Sequence, residues 1–274
     1  MEDTKTKASR ILTEWDKIIQ NINEKNAKNN DNEEELMLHD EIAEYMGNNL
    51  FNSKEKDLVL EICKQGINLL LMNDIKILEL CCKNLINDRD IALEAVKTNG
   101  SNMELVNDKF KDDKKFVLEA AKVSNVLGYV SDRLKDDEDI VHSSVNVNPR
   151  TILFASERFQ KDKSLGIKLF TKDKYILNCL HKDLRNDGDF LMNCWIIITA
   201  HHFNNYMLLH YHTQSLIDHM GENIKGLFSQ VDISLDNQNL NKQMQACFDN
   251  FKLNKDLSTE LSSSQNKDIK KIKV

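Results

Sequence analysis

The segments Ile91-Ala92-Leu93-Glu94-Ala95-Val96, Phe116-Val117-Leu118-Glu119-Ala120-Ala121 and Ile140-Val141-His142-Ser143-Ser144-Val145 fall into register when written above one another, and their reading decides the fold. Outward from them the row recurs at Leu58 to Cys63, Leu165 to Phe170 and Phe190 to Trp195. The six starts differ by 33, 25, 24, 25 and 25 residues, the first interval carrying an insertion around Gly66 to Asp74. Positions one, two, five and six are apolar or small throughout, a spacing that forms one stripe on a helix. Position four, which reads Glu61, Glu94, Glu119, Ser143, Lys168 and Asn193, points outward. Each row therefore predicts an amphipathic helix. Asn87-Asp88, Asp112-Asp113, Asp136-Asp137 and Asp162 stand just ahead, residue types that satisfy the free N–H groups of a helix start.

About ten residues beyond each row a second, shorter apolar stretch follows, at Met103 to Val106, Leu127 to Val130, Ile152 to Ala155 and Ile176 to Leu180. Each runs into a polar triplet and a large apolar residue, as in Asn107-Asp108-Lys109-Phe110 and Ser156-Glu157-Arg158-Phe159. The unit is a helix pair. A pair of roughly 25 residues cannot bury its own apolar faces, so such units stack in one dimension. The expected fold is all-α: an α-solenoid of stacked helix pairs over 50–200 with amino- and carboxy-terminal helical flanks. One proline and 8 glycines in 274 residues agree, leaving few of the tight turns that a sheet protein needs.

The phrase Asn87-Asp88-Arg89-Asp90-Ile91-Ala92-Leu93-Glu94-Ala95-Val96-Lys97-Thr98-Asn99-Gly100 resembles the core of a short bihelical repeat family of unknown function, found in protists, giant viruses and some intracellular bacteria. The resemblance is close over 85–135 and looser over 136–195, where His142, Ser144, Gly166 and Phe170 depart from the pattern. It implies stacked helix pairs and brings no activity with it.

The flanks differ. Ile11, Trp15, Ile18 and Ile22 share one face of a helix from about Ala8 to Ile22, within an acidic segment 1–49 that continues as a polar linker. That segment holds 12 acidic and 6 basic side chains, against 24 and 23 over 50–194 and 8 and 8 over 195–274. Residues 201–257 read as a helical cap or small helical region, and 258–274 as a disordered tail. A net charge of -7 disfavours nucleic acid as a partner. The longest apolar stretch, Phe190 to Ala200, is too short to insert across a membrane. The amino terminus carries no export signal and the cysteines no framework spacing, so a cytoplasmic, reduced chain is expected.

Two sets of residues are candidates for partner binding. Asp108-Lys109, Asp132-Arg133 and Glu157-Arg158 repeat an acid–base pair once per unit, with the signs reversed at Lys182-Asp183. They form either a solvated edge of weak salt bridges or a charged groove that receives a partner through Arg133 and Arg158. Trp15 and Ile18 belong to a helix that either caps the first repeat or docks in another protein's groove. His201, His202, His210, His212 and His219 invite a metal hypothesis, but on one helix His201, His212 and His219 would stand about 16 and about 10 Å apart along the axis, too far to share an ion. No H-E-x-x-H, C-x-x-C or Gly-rich phosphate loop occurs. The expectation is a protein–protein interaction scaffold or adaptor with no cofactor, no metal and no catalytic residue. The alternative is a small intracellular enzyme or effector with its chemistry in the His-rich carboxy-terminal region.

Overall fold

A computed structural model of the chain describes residues 2–29, 56–66, 76–81, 83–202 and 204–271. The linker expected beyond Asn29 and most of the insertion around Gly66 to Asp74 lie outside them. Among the described residues every regular element is helical, and neighbouring helices pack in sequence order. The chain divides into two compact units, Met1–Ala155 and Ser156–Val274.

In the first unit the helix Lys56–Gln65 packs on Arg89–Thr98, that helix on Lys114–Ala121, and the next on Glu138–Val147. Positions one, two, five and six of each row, from Leu58, Val59, Ile62 and Cys63 to Ile140, Val141, Ser144 and Val145, are buried. The same holds in the second unit for Leu165, Gly166, Leu169 and Phe170, and for Phe190, Leu191, Cys194 and Trp195. Helix starts are fixed as the sequence indicates. Asp88 accepts from the N–H groups of Asp90 and Ile91, Asp113 from Lys115 and Phe116, Asp137 from Ile140, Asp162 from Leu165 and Asp187 from Phe190.

The second member of each pair is divided. A 3-10 helix (Gly100–Glu104, Leu127–Tyr129, Pro149–Phe154, Ile176–Cys179) leads into a single α turn formed by the polar triplet itself (Asp108–Lys111, Asp132–Lys135, Glu157–Gln160, Lys182–Arg185). The division has local causes. Asn99 and Asn148 end the preceding helix in an extended conformation while their side chains accept from the N–H groups of Ser101 and Arg150, starting the 3-10 turn. Pro149 takes the first position there, where no N–H is needed. Asn107 and His181 then cap the next turn through the N–H groups of Lys109 and Asp183.

Successive repeats approach to backbone contact. A Cβ on Gly100 would lie 2.4 Å from the carbonyl oxygen of Asn125 in the following repeat, so only glycine fits. Buried Asn102 donates to the carbonyls of Ala95 and Asn99 and accepts from the Leu78 N–H of the preceding repeat, leaving none of its amide groups wasted in the core.

The amino-terminal helix, Thr4–Asn29, packs along Lys56–Gln65, with Ala8, Ile11, Leu12, Trp15 and Ile19 buried and Ser9 bonded to Gln65 at 2.6 Å. In the second unit the repeat pattern continues to a further turn, Glu222–Lys225, whose Ile224 is buried where Phe110, Leu134, Phe159 and Leu184 stand in earlier turns. The helices Gly188–His202 and Tyr206–Asp218 occupy the extra length between. The last helix runs from Asn237 to Lys271, through the stretch read as a disordered tail; no glycine or proline follows Gly226 to stop it.

Candidate functional site

The repeated acid–base pairs sit on the one-turn helices, solvent-exposed, once per repeat. Their acids and Arg133 tie down their own turn or a neighbouring repeat. Asp108 pairs with Lys111 at 3.2 Å and Asp132 with Lys135 at 3.1 Å, within one turn. Arg133 reaches back to the preceding repeat, donating to the Asp112 carboxylate at 3.1 Å and to the Asp112 carbonyl at 2.6 Å. The Ser131 hydroxyl also bonds Asp112, and together with Arg133 it holds that carboxyl below its ordinary pKa. In the second unit Glu157 pairs with Lys161 at 3.1 Å and with His181 of the next repeat at 3.4 Å, and its pKa is lowered by both in that order. Lys109 and Arg158 lie over the rings of Phe110 and Phe159, at 4.7 and 4.1 Å from the centroids. The charges are thus paired with one another along the edge of the repeats.

A second ladder was not read from the sequence. The first residue of a helix reaches the cap of the next: Lys56 bonds Asp88 and Asp90 at 2.9 and 2.7 Å, Lys114 bonds Asp137 and Asp139 at 2.8 Å each, and Lys163 bonds Asp187 at 2.5 Å. Burial opposes ionisation of Asp88 and Asp137, yet the lysine and the capped N–H groups together keep both below the usual carboxylate range. Two residues before the six row starts the sequence has Lys56, Arg89, Lys114, Glu138, Lys163 and Gly188, a column in which the three lysines are the members that form the ladder.

The 3-10 edge of the first unit also leaves large apolar side chains exposed. The 3-10 helices Leu127–Tyr129 and Pro149–Phe154 lie against each other, and Tyr129, Leu153 and Phe154 remain 40%, 50% and 48% exposed. A Cβ on Gly128 would sit 3.4 Å from the Phe154 ring, so this aromatic rests on its neighbour while showing its other face to solvent. Val123 and Val147, at equivalent helix ends, are exposed as well.

Trp15 is 1% exposed, so it is a core residue of the amino-terminal cap and not a protruding anchor; Ile18 is half-buried beside it. The five histidines separate. His201 is exposed, His210 is buried against the Tyr206 ring, and His219 bonds the Ser215 carbonyl. His202 and His212 stack at 4.8 Å next to Tyr175, whose hydroxyl bonds that of Tyr211. Desolvation first, then neighbouring Lys174 and His201 or His202, depresses the pKa of both stacked rings. Among the described residues no three of His, Cys, Asp and Glu gather closely enough to hold a metal ion. A cavity of about 480 Å³ opens between the turns Lys182–Arg185 and Glu222–Lys225.

No helix among the described residues is long and apolar enough to cross a membrane. The family described as domain of unknown function (DUF4116) matches the chain in tandem, at residues 55–111, 88–135 and 113–160, which bears out the short repeat family expected from Asn87 to Gly100. No curated protein and no solved structure matches.

Proposed function

From a chain built of tandem copies of this repeat, we propose a protein–protein interaction scaffold or adaptor, its repeats forming an α-solenoid in the cytoplasm and its surface holding partners without chemistry of its own. The observation that carries this is the uncovered edge at Tyr129, Leu153 and Phe154. In a unit whose other aromatic and aliphatic side chains are mostly buried, three large apolar groups from adjacent repeats are left facing water. The ion pairs between repeats, Arg133 with Asp112 and Glu157 with His181, support it, because they fix the spacing of neighbouring units and so the geometry of whatever lies across them. Balanced charge over the repeats favours a protein partner over a polyanion.

The test is affinity capture of the tagged full chain from its native cell at low salt, comparing wild type with a Tyr129→Ser/Leu153→Ser/Phe154→Ser variant and with Arg133→Glu. A stoichiometric partner that the triple variant loses, at unchanged thermal stability, is the expected result. Wild type eluting alone, or keeping its partners in the triple variant, would sink the proposal.

A further inference from the structure

We propose that the cavity between the turns Lys182–Arg185 and Glu222–Lys225 takes the carboxylate of a Glu or Asp side chain from an acidic segment of a partner protein. This deepens the scaffold reading and rests on it. The argument comes from comparing the turn with its own siblings. In Asp108–Lys111 and Asp132–Lys135 the first residue is an acid that neutralises the cation at the fourth, at 3.2 and 3.1 Å. At Lys182–Arg185 the first residue is itself a cation, so Arg185 loses that partner. Nothing replaces it: the Arg185 Nε is buried with no hydrogen-bond partner, and neither Arg185 nor Lys182 has an ion pair among the described residues.

Two cations without a counter-ion on one cavity wall are arranged for an anionic ligand that supplies the acceptors. Both cations line the cavity, whose volume of about 480 Å³ admits a side chain and its adjoining peptide. The wall is fixed in place, since the Gly221 N–H donates to the Arg185 carbonyl at 2.7 Å and ties the two turns together. Of the two carboxylates on the walls, Asp183 is engaged by Lys161 and His181, each at 3.3 Å, while Glu222 comes from the second turn. Glu222 selects among anions. Lys182 and Arg185 against Glu222 leave one net positive charge at the wall, which a singly charged carboxylate on the guanidinium fork neutralises and a dianionic phosphoryl group would over-neutralise.

The experiment is fluorescence anisotropy of the full chain with a labelled peptide Gly-Ser-Glu-Glu-Ser-Gly, beside versions carrying Gln or phosphoserine in place of Glu. Wild type binds the Glu peptide best. Arg185→Ala weakens it by about tenfold or more, the scale of a lost charge-assisted hydrogen bond. Lys182→Glu, which restores the acid of the sibling turns, abolishes binding while leaving the melting temperature unchanged or higher, so a folding defect is separable. Glu222→Gln strengthens it. Equal affinity of wild type and Lys182→Glu, or tighter binding of the phosphoserine peptide, would overturn the assignment. If Lys182→Glu also keeps every partner captured by wild type, this site falls and the scaffold reading stands. If wild type captures no partner, the scaffold reading itself falls.

Discussion

Replacing Gly100 by alanine probes how closely one repeat lies on the next. The new Cβ would stand 2.4 Å from the Asn125 carbonyl oxygen and 3.0 Å from its carbon. Carbon–oxygen contacts ordinarily settle at about 3.3–3.6 Å, so one backbone must retreat by roughly 1 Å. No rotamer change relieves a clash between backbones, which places the cost in the upper part of the overpacking range of about 1–3 kcal/mol. Removing glycine's freedom in the unfolded chain returns about 0.4–1 kcal/mol. The expected net loss is about 2 kcal/mol in the unit Met1–Ala155, and with a urea slope of about 1–3 kcal/mol/M the midpoint falls by roughly 1 M.

The assay is straightforward because the two tryptophans lie in different units: in a Trp195→Phe background the fluorescence of buried Trp15 reports the first unit alone. Gly226→Ala is the control, read in its own unit through Trp195 in a Trp15→Phe background, since a Cβ there meets no atom within 4 Å; the same substitution should leave stability unchanged or raise it by up to about 1 kcal/mol. A Gly100→Ala midpoint equal to that of its parent would refute the close stacking of these repeats.

Trp15→Ala is expected to cost about 3–5 kcal/mol, as for other fully buried aromatics, and to release the helix Thr4–Asn29 to proteolysis; an unchanged urea midpoint would return Trp15 to the role of an external anchor. Lys114→Ala, which removes both contacts to Asp137 and Asp139, should lower the melting temperature less than Gly100→Ala does, with the difference fading in about 1 M salt; a loss that persists there would mean packing rather than charge. His202, His210 and His212 all have pKa values depressed below the ordinary 6.5, mainly by desolvation. Their contribution is therefore present in full above 6.5 and lost as pH falls through the depressed folded values, so melting of the unit Ser156–Val274 should decline below about pH 6.5. His202→Phe/His212→Phe should flatten that profile, and an unaltered slope would count against the stacked pair.

Much of the architecture was legible because it repeats. A single amphipathic row is ambiguous, but six in register give six helices with their buried stripes, and the Asp caps at 88, 113, 137 and 162 follow from the residue that must precede each start. The second half of the repeat was less legible. Its apolar stretches are too short to show a period, and only the capping geometry of Asn99 and Asn148 tells a 3-10 turn from an α-helix. Trp15 could be placed on an apolar face but not on a particular partner, since covering the first repeat and docking elsewhere demand the same residues. The Lys56, Lys114 and Lys163 ladder is not legible in sequence, since a surface lysine column looks like ordinary solvation until the cap of the next helix is set beside it. The exposed state of Tyr129, Leu153 and Phe154 had no sequence signal, for composition alone does not separate an aromatic that fills a core from one left at its rim.

The most direct test of the repeat architecture is amide hydrogen exchange at Ser131, His181 and Gly221. Each of these N–H groups donates to a carbonyl of the preceding turn, Lys111, Gln160 and Arg185, at 3.1, 3.2 and 2.7 Å, and none belongs to a hydrogen-bonded ladder of its own. Stacked repeats protect all three far beyond the neighbouring exposed turn amides. Exchange of these three at free-peptide rates, in an otherwise folded chain, would contradict the stacking on which both the scaffold and its sites depend.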